Sequence, residues 1–429
     1  MYPRNFDTRA KTRVITGNAM YSVVCRLCRT VIPEDCYRIA CPCCTGVLEF
    51  DYSVAGAGGN CPADSMWRYR ARLPVREHAP VVSLHEGMTP LEKARNLSDG
   101  VEIYFKNETM NPTGSHKDRA ISIAMSKAVE YGFDTVMLYS DGSTALSSAA
   151  YAARAGLRNI TLVPQGMPDD RLAPLLIYNS VILEYQGCAA EALDWVHESC
   201  ERFQIFETST YRKANPYQAE GPKTIAYEIA EQLGDAPDWV VVPVGGGGTF
   251  AGIWRGFVEL RTQDVISKLP RMAGVLPTGY TVLETALREK VDSESGLRAL
   301  TLSRPPVTIQ TKIAMAFPPD GLEALEAVRD SGGLFLFASD EEVLAAQITL
   351  GACEGIYAEP SSAAALCGVE QLRARELTAK GEKAVALITG SGFRENMQTF
   401  GSLRVPRTTV DSKSGETVLE ELLRSDVRR

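Results

Sequence analysis

Asn111-Pro112-Thr113-Gly114-Ser115-His116-Lys117-Asp118-Arg119 sets one lysine in a small-residue, turn-forming loop that opens a helix. Behind it, Ile121, Ala124, Met125, Ala128 and Val129 fall at helical spacing. They predict a helix from Asp118 to Tyr131, with Asp118 in the first turn, where the helix dipole favours a carboxylate. Lys117 thus stands at the positive end of that dipole. An amine held there, out of bulk water, has its charged form disfavoured and its pKa lowered, as attack on a carbonyl carbon requires. Taken alone, such a loop is more often an exposed lysine after a turn, so other motifs must decide.

The 429 residues, 45% hydrophobic and 23% charged, are long enough for two domains and ordinary for a globular chain. A formal net charge of -8 disfavours nucleic acid and anionic membranes as partners, while leaving room for a local basic pocket. No run approaches the roughly 18 apolar residues of a membrane span. The polar N-terminus (Arg4, Asn5, Asp7, Arg9, Lys11, Arg13) has no apolar core of a signal peptide, so a cytoplasmic location is expected.

Of the 11 cysteines, Cys188, Cys200, Cys353 and Cys367 are scattered in apolar or helical stretches, as reduced thiols are. The others crowd into residues 25–61. Cys25-Arg26-Leu27-Cys28 and Cys41-Pro42-Cys43-Cys44 form two Cys-x-x-Cys knuckles, the spacing of a structural zinc ribbon with four thiolates and no open position. A disulfide pair and a ribbon without its ion are the competing readings. Cys36 and Cys43 are spare thiols, and Arg29 and Thr45 stand after the knuckles where such turns often prefer glycine.

Val47 to Tyr52 reads as a closing strand, and Ala55-Gly-Ala-Gly-Gly-Asn60 as a linker. Beyond it the pattern alternates. Strands are predicted at 101–106, 135–139, 159–163, 180–184, 239–244, 272–276 and 383–388. Helices are predicted at 118–131, 144–155, 189–203, 219–233, 249–262, 319–330, 340–353 and 361–375. Such alternation means parallel sheets covered by helices on both faces. The charged tail after Pro406 reads as an exposed end.

Three of these strands end in ligand-binding loops. Val240 to Val244 runs into Gly245-Gly246-Gly247-Gly248-Thr249 and then a helix, an arrangement in which consecutive N–H groups and a helix dipole converge on a phosphate. The spacing matches neither the Walker loop nor the dinucleotide fingerprint, which disfavours ATP and NAD. Ser140-Asp141-Gly142-Ser143-Thr144 and Thr389-Gly390-Ser391-Gly392 repeat the device. Ligands in open α/β sheets sit at the carboxyl ends of strands, so all three loops and Lys117 can face one cleft.

With these motifs the chain, from about residue 20 to 400, resembles the pyridoxal-phosphate enzymes of fold type II, and among them the threonine synthase-like branch. The resemblance is also carried by Trp67-Arg68-Tyr69, Glu86-Gly87-Met88-Thr89-Pro90-Leu91 and Asn215-Pro216-Tyr217. Glu220-Gly221-Pro222-Lys223-Thr224 and Gly355-Ile356-Tyr357-Ala358-Glu359-Pro360-Ser361-Ser362-Ala363 complete it. It implies two open parallel-sheet α/β/α domains with an N-terminal zinc-ribbon-like module. Their bounds are 1–60 for the arm and ribbon, 61–110 with 211–405 for the cofactor domain, 111–210 for a smaller domain, and 406–429 for a tail. A small amino-acid substrate and a homodimer are implied as well.

The resemblance also implies residue roles. Lys117 carries pyridoxal 5'-phosphate as a Schiff base and shuttles the α-proton. Gly245, Gly246, Gly247, Gly248 and Thr249 bind its phosphate, and Thr389 meets the pyridine nitrogen. Ser140, Asp141, Gly142 and Thr144 hold the substrate carboxylate. Departures mark the same loops. Ser143 stands where the family places an asparagine against the ring hydroxyl. His116 replaces an aromatic residue, facing the cofactor phosphate or serving as a satisfied loop histidine. Gln218 replaces the arginine that clamps homoserine phosphate at the substrate site, and Arg212 and Lys213 restore positive charge nearby, holding an anionic substrate in a different geometry or facing solvent. The all-glycine loop is closer to that of the serine and threonine dehydratases. The implied activity is therefore a β- or γ-elimination or replacement on a small amino acid other than homoserine phosphate. Threonine synthase itself, a dehydratase-like deaminase and a catalytically silent ribbon protein are the alternatives.

Overall fold

In a computed structural model the described residues are 21–34, 37–52, 64–97, 100–140 and 142–394. Strands β1 (Ser22–Cys25), β2 (Val31–Ile32) and β3 (Leu48–Asp51) form a small antiparallel sheet in the order β2-β1-β3. Next come β4 (Leu91–Lys93) and β5 (Glu102–Asn107), then helix α1 (Lys117–Glu130). A run of β6 (Thr135–Tyr139), α2 (Ser143–Ala155), β7 (Arg158–Pro164), α3 (Asp169–Ile177), β8 (Val181–Tyr185), α4 (Ala189–Phe203) and β9 (Phe206–Glu207) follows. After it come α5 (Lys223–Leu233), β10 (Trp239–Pro243), α6 (Gly248–Thr262), β11 (Arg271–Pro277), α7 (Val282–Arg288), α8 (Glu294–Ala299) and α9 (Gly321–Ser331). The last described elements are β12 (Leu334–Ala338), α10 (Asp340–Glu354), α11 (Pro360–Ala374) and β13 (Lys383–Ile388), before a short 3-10 turn at Gly392–Arg394.

Two sheets result. The larger runs β12-β11-β10-β13-β5-β4, parallel except for the edge strand β4, and the smaller runs β8-β7-β6-β9, all parallel. The period-two alternation of a strand sorts their side chains. On β10, Val240 and Val242 pack with α5, α6 and α9, whereas Val241 packs with α10 and α11 on the other face. On β6, Val136 packs with α1 and α2, and Met137 with α4. Both sheets are therefore α/β/α layers, and burial of each aliphatic side chain contributes about 1.5–3 kcal/mol.

Strand order places the loops. β10, β13 and β5 are neighbours, so the glycine loop, the Thr389 loop and the Lys117 loop leave one edge of the larger sheet side by side. β6 and β9 are likewise neighbours, which brings the Ser140 loop beside Ser209-Thr210.

Differences from expectation have local causes. The helix expected at 219–233 is a 3-10 turn at Gln218–Glu220 followed by α5, since Pro222 lacks the N–H that would continue a helix but suits a helix start. Helix α9 starts after Pro318 and Pro319 rather than at 319. Strand β12 has no counterpart among the predicted strands, because Leu-Phe-Leu-Phe-Ala is a short apolar run without polar alternation. Asp141, Cys36 and the 406–429 tail lie outside the described residues.

Candidate active site

The lysine loop is fixed from both sides. The Thr113 N–H and hydroxyl both donate to the Asp118 carboxylate, at 2.7 and 2.6 Å, and Ser147 adds a third donor at 2.6 Å. Gly114 takes φ +77°, which a side chain would strain, and a Cβ there would press on Arg394 Cδ at 2.8 Å. The His116 N–H donates to the Thr389 carbonyl at 2.9 Å, and its Nδ1 lies 3.0 Å from the same oxygen. A carbonyl only accepts, so Nδ1 carries the ring proton and Nε2 is left as an acceptor. Burial, reinforced by the Lys117 charge, pushes the His116 pKa down to about 3.

Lys117 is the first residue of α1. Its Nζ lies 3.4 Å from Thr210 Oγ1, itself 3.4 Å from Thr144 Oγ1. Desolvation lowers the amine's pKa, opposed by the fields of Asp320 and Glu359. Lys117, His116, Thr210, Gln218, Gly248 and Thr249 line one cavity.

The glycine loop is closed by the segment before α9. The Asp320 N–H donates to the Gly246 carbonyl at 2.8 Å. Gly247 takes φ +95°, and a Cβ on it would meet the Asp320 carbonyl oxygen at 2.6 Å. A Cβ on Gly245 would lie 3.0 Å from Ile313 Cα. Side chains are excluded on steric grounds, which leaves a cradle of bare N–H groups at the start of α6.

Thr389 Oγ1 is 2.6 Å from Ser362 Oγ, which also accepts the Gly390 N–H at 2.7 Å. Ser143 begins α2, and its hydroxyl accepts from Arg394 Nη1 at 2.9 Å. The Lys312 amine lies 3.4 Å from where a Gly142 Cβ would be, and Ser140 Oγ accepts the Gly142 N–H at 3.2 Å.

Residues 82–390 match the family described as "Pyridoxal-phosphate dependent enzyme". The chain belongs to that family. It is 33% identical over 393 residues to a threonine synthase of Methanocaldococcus jannaschii, covering 89% of this chain and 94% of that one. It is 38% identical over 349 residues to a threonine synthase of Halalkalibacterium halodurans, covering 80% and 94%. Among solved structures, the processed form of threonine deaminase isoform 2 from Solanum lycopersicum shares the fold with a TM-score of 0.61 at 23% identity, covering 77% of this chain and 82% of that one. The chain is thus a fold type II pyridoxal-phosphate enzyme and a threonine synthase-like lyase.

The residues present fit the family's cofactor. Gly245 to Thr249 provide a phosphate cradle, Lys117 a desolvated amine, and Thr389 a hydroxyl. Arg212 does not join them, which corrects its placement at the substrate. It is buried, and its Nε and Nη2 donate to the Leu48 carbonyl of β3 at 3.3 and 3.0 Å. Lys213 pairs at the surface with Glu294. Thr210, Asp320, Lys312 and Arg394 carry no local motif in the sequence, because the residues they meet in the fold are distant along the chain.

The four sulfurs of Cys25, Cys28, Cys41 and Cys44 lie within 4.8 Å of one another. Arg29 and Thr45 adopt left-handed φ of +60° and +57°, and each donates its N–H back to the first cysteine carbonyl of its knuckle at 3.0 and 2.9 Å. A Cβ on Gly46 would collide with Cys25 Sγ at 2.9 Å, so only glycine leaves room for the cluster.

Proposed function

We propose that the enzyme eliminates or replaces a leaving group at the β or γ carbon of a small amino acid other than homoserine phosphate. The observation that carries this reading is the composition of the Lys117 cavity: a desolvated amine, the start of the glycine-loop helix, and buried Gln218 in the position where the family resemblance implies an arginine. Bound pyridoxal phosphate would supply the electron-withdrawing ring that acidifies the substrate's α-carbon. Lys117 then takes the α-proton, passing it to the departing group in an elimination or back to the α-carbon in a replacement, and the N-terminus of α2 with the Ser140 and Thr144 hydroxyls holds the carboxylate. A hydroxyl such as that of Thr389, unlike a carboxylate, does not hold the ring nitrogen protonated, which favours elimination or replacement over transamination.

Threonine synthase is the second reading, favoured by 33–38% identity to enzymes of that name over most of the chain. Steady-state assays with O-phospho-L-homoserine and a panel of β- and γ-substituted amino acids separate the two. Turnover of a panel member with little phosphate release is expected. Phosphate and threonine formed from O-phospho-L-homoserine at ordinary enzymatic rates contradict the first reading and support the second, and a 2-oxo acid with ammonia from serine or threonine identifies a deaminase.

The proposal includes the division into 61–110 with 211–405 and 111–210, one structural zinc on the four cysteines, a homodimer and a cytoplasmic location. The division is supported by the assortment of strands between the two sheets, and the zinc by the cysteine geometry. Among the described residues no helix is long and apolar enough to cross a membrane.

A further inference from the structure

Asp320 is a buried carboxyl group at the edge of the glycine cradle. Its main chain closes the loop through the Gly246 carbonyl, and the residue is 4% exposed. Oδ1 accepts the Arg212 N–H at 2.8 Å, the one side-chain hydrogen bond it makes among the described residues. Oδ2 lies against Gly248, so near that a Cβ there would collide with it. Gly248 begins α6, where main-chain N–H groups without helical partners gather. A phosphate held there would face a like charge if Asp320 were ionised, and a hydrogen-bond donor if it were not.

Resting on the pyridoxal-phosphate reading, we propose that Asp320 binds the cofactor's phosphate as a neutral carboxylic acid, donating its proton's hydrogen bond to a phosphate oxygen, and that ionisation of Asp320 weakens the cradle. The surroundings suit this role. Glu323 of α9 faces Asp320 with negative charge, whereas Arg212, Arg255 of α6 and Lys117 of α1 face it with positive charge. Burial outweighs the arginines and, with Glu323, raises its pKa to about 7. Glu323 is itself drawn toward Arg26 at 3.6 Å, so it reaches Asp320 as a partly screened charge.

The test compares dissociation constants for pyridoxal phosphate and pyridoxal, which lacks the phosphate, in wild type and Asp320→Asn. The ratio of the two isolates the phosphate contribution from the titration of Lys117. In wild type the phosphate's advantage is expected to fall by up to about tenfold per pH unit above the Asp320 pKa. In Asp320→Asn, whose amide donates at every pH, the advantage stays constant. An unchanged pH dependence in the variant, or a phosphate advantage already lost at about pH 6, overturns the role of Asp320. Should the variant fail to fold, calorimetry on wild type decides. Pyridoxal phosphate titrated at about pH 8 in buffers of differing ionisation enthalpy should take up close to one more proton than pyridoxal, and equal uptake overturns the proposal. Absence of any cofactor binding by wild type overturns the underlying cofactor reading and the Asp320 role with it.

Discussion

His116 shows how much one side chain next to the reacting amine is constrained. Its folded pKa of about 3 lies below the ordinary 6.5, so between those values the unfolded chain binds more protons than the folded one. Stability contributed by keeping this ring neutral is therefore full above about pH 6.5 and is lost progressively as pH falls toward about 3. Denaturation curves of His116→Asn should show a shallower loss of stability over that window than wild type. An identical slope would mean that the ring titrates normally. At this scale the sequence shows the residue types but not their partners. Lys117 and the glycines are legible because a turn, a helix start and a glycine run are local signals. Thr210 is not, since β9 before it has only two residues, and Arg212 was misplaced because its acceptor, Leu48, is 164 positions away.

Helix α1 carries the lysine at its first residue and is locked by charges two residues on. Arg119 donates to Glu108 at 2.7 Å through both Nε and Nη2, and to Glu228 at 2.5 Å through Nη1. Lys106 meets the other Glu228 oxygen at 2.6 Å, and all four side chains are fully buried. Two cations and two anions balance. Removing one member leaves a buried charge uncompensated, which costs about 3–5 kcal/mol, far more than an exposed pair. Glu108→Gln is expected to lower unfolding stability by that order. Arg261→Ala, which breaks the exposed Arg261–Asp264 pair, should change it by less than about 0.5 kcal/mol. Chemical denaturation of both variants checks the contrast, and equal losses would contradict it. Amphipathic periodicity made α1 legible, with Ile121, Ala124, Met125 and Ala128 all buried. It gave no sign of the ion network, because pairing between β5, α1 and α5 is a property of the sheet's topology.

For the whole molecule, the ribbon is braced against the elements that build the cleft. Arg26 pairs with Glu326 of α9, Leu48 accepts from Arg212, and Tyr52 donates to Glu220 at 3.0 Å. Lys127 of α1 donates to Tyr21 at 2.9 Å. With zinc on the four cysteines, metal analysis should find about one ion per chain, and Cys25→Ser with Cys41→Ser should lose it together with thermal stability. Full stability without metal would assign the cluster to packing alone. The alternation of strands and helices made the two helix-covered parallel sheets legible, whereas the ribbon's docking is fixed by contacts that no local pattern encodes. The central claim is that Lys117 binds pyridoxal phosphate, and visible absorbance of the protein mixed with the cofactor tests it most directly. Wild type should develop the band of a lysine-bound cofactor that Lys117→Ala lacks; no band in wild type, or an equal band in the variant, would contradict the claim.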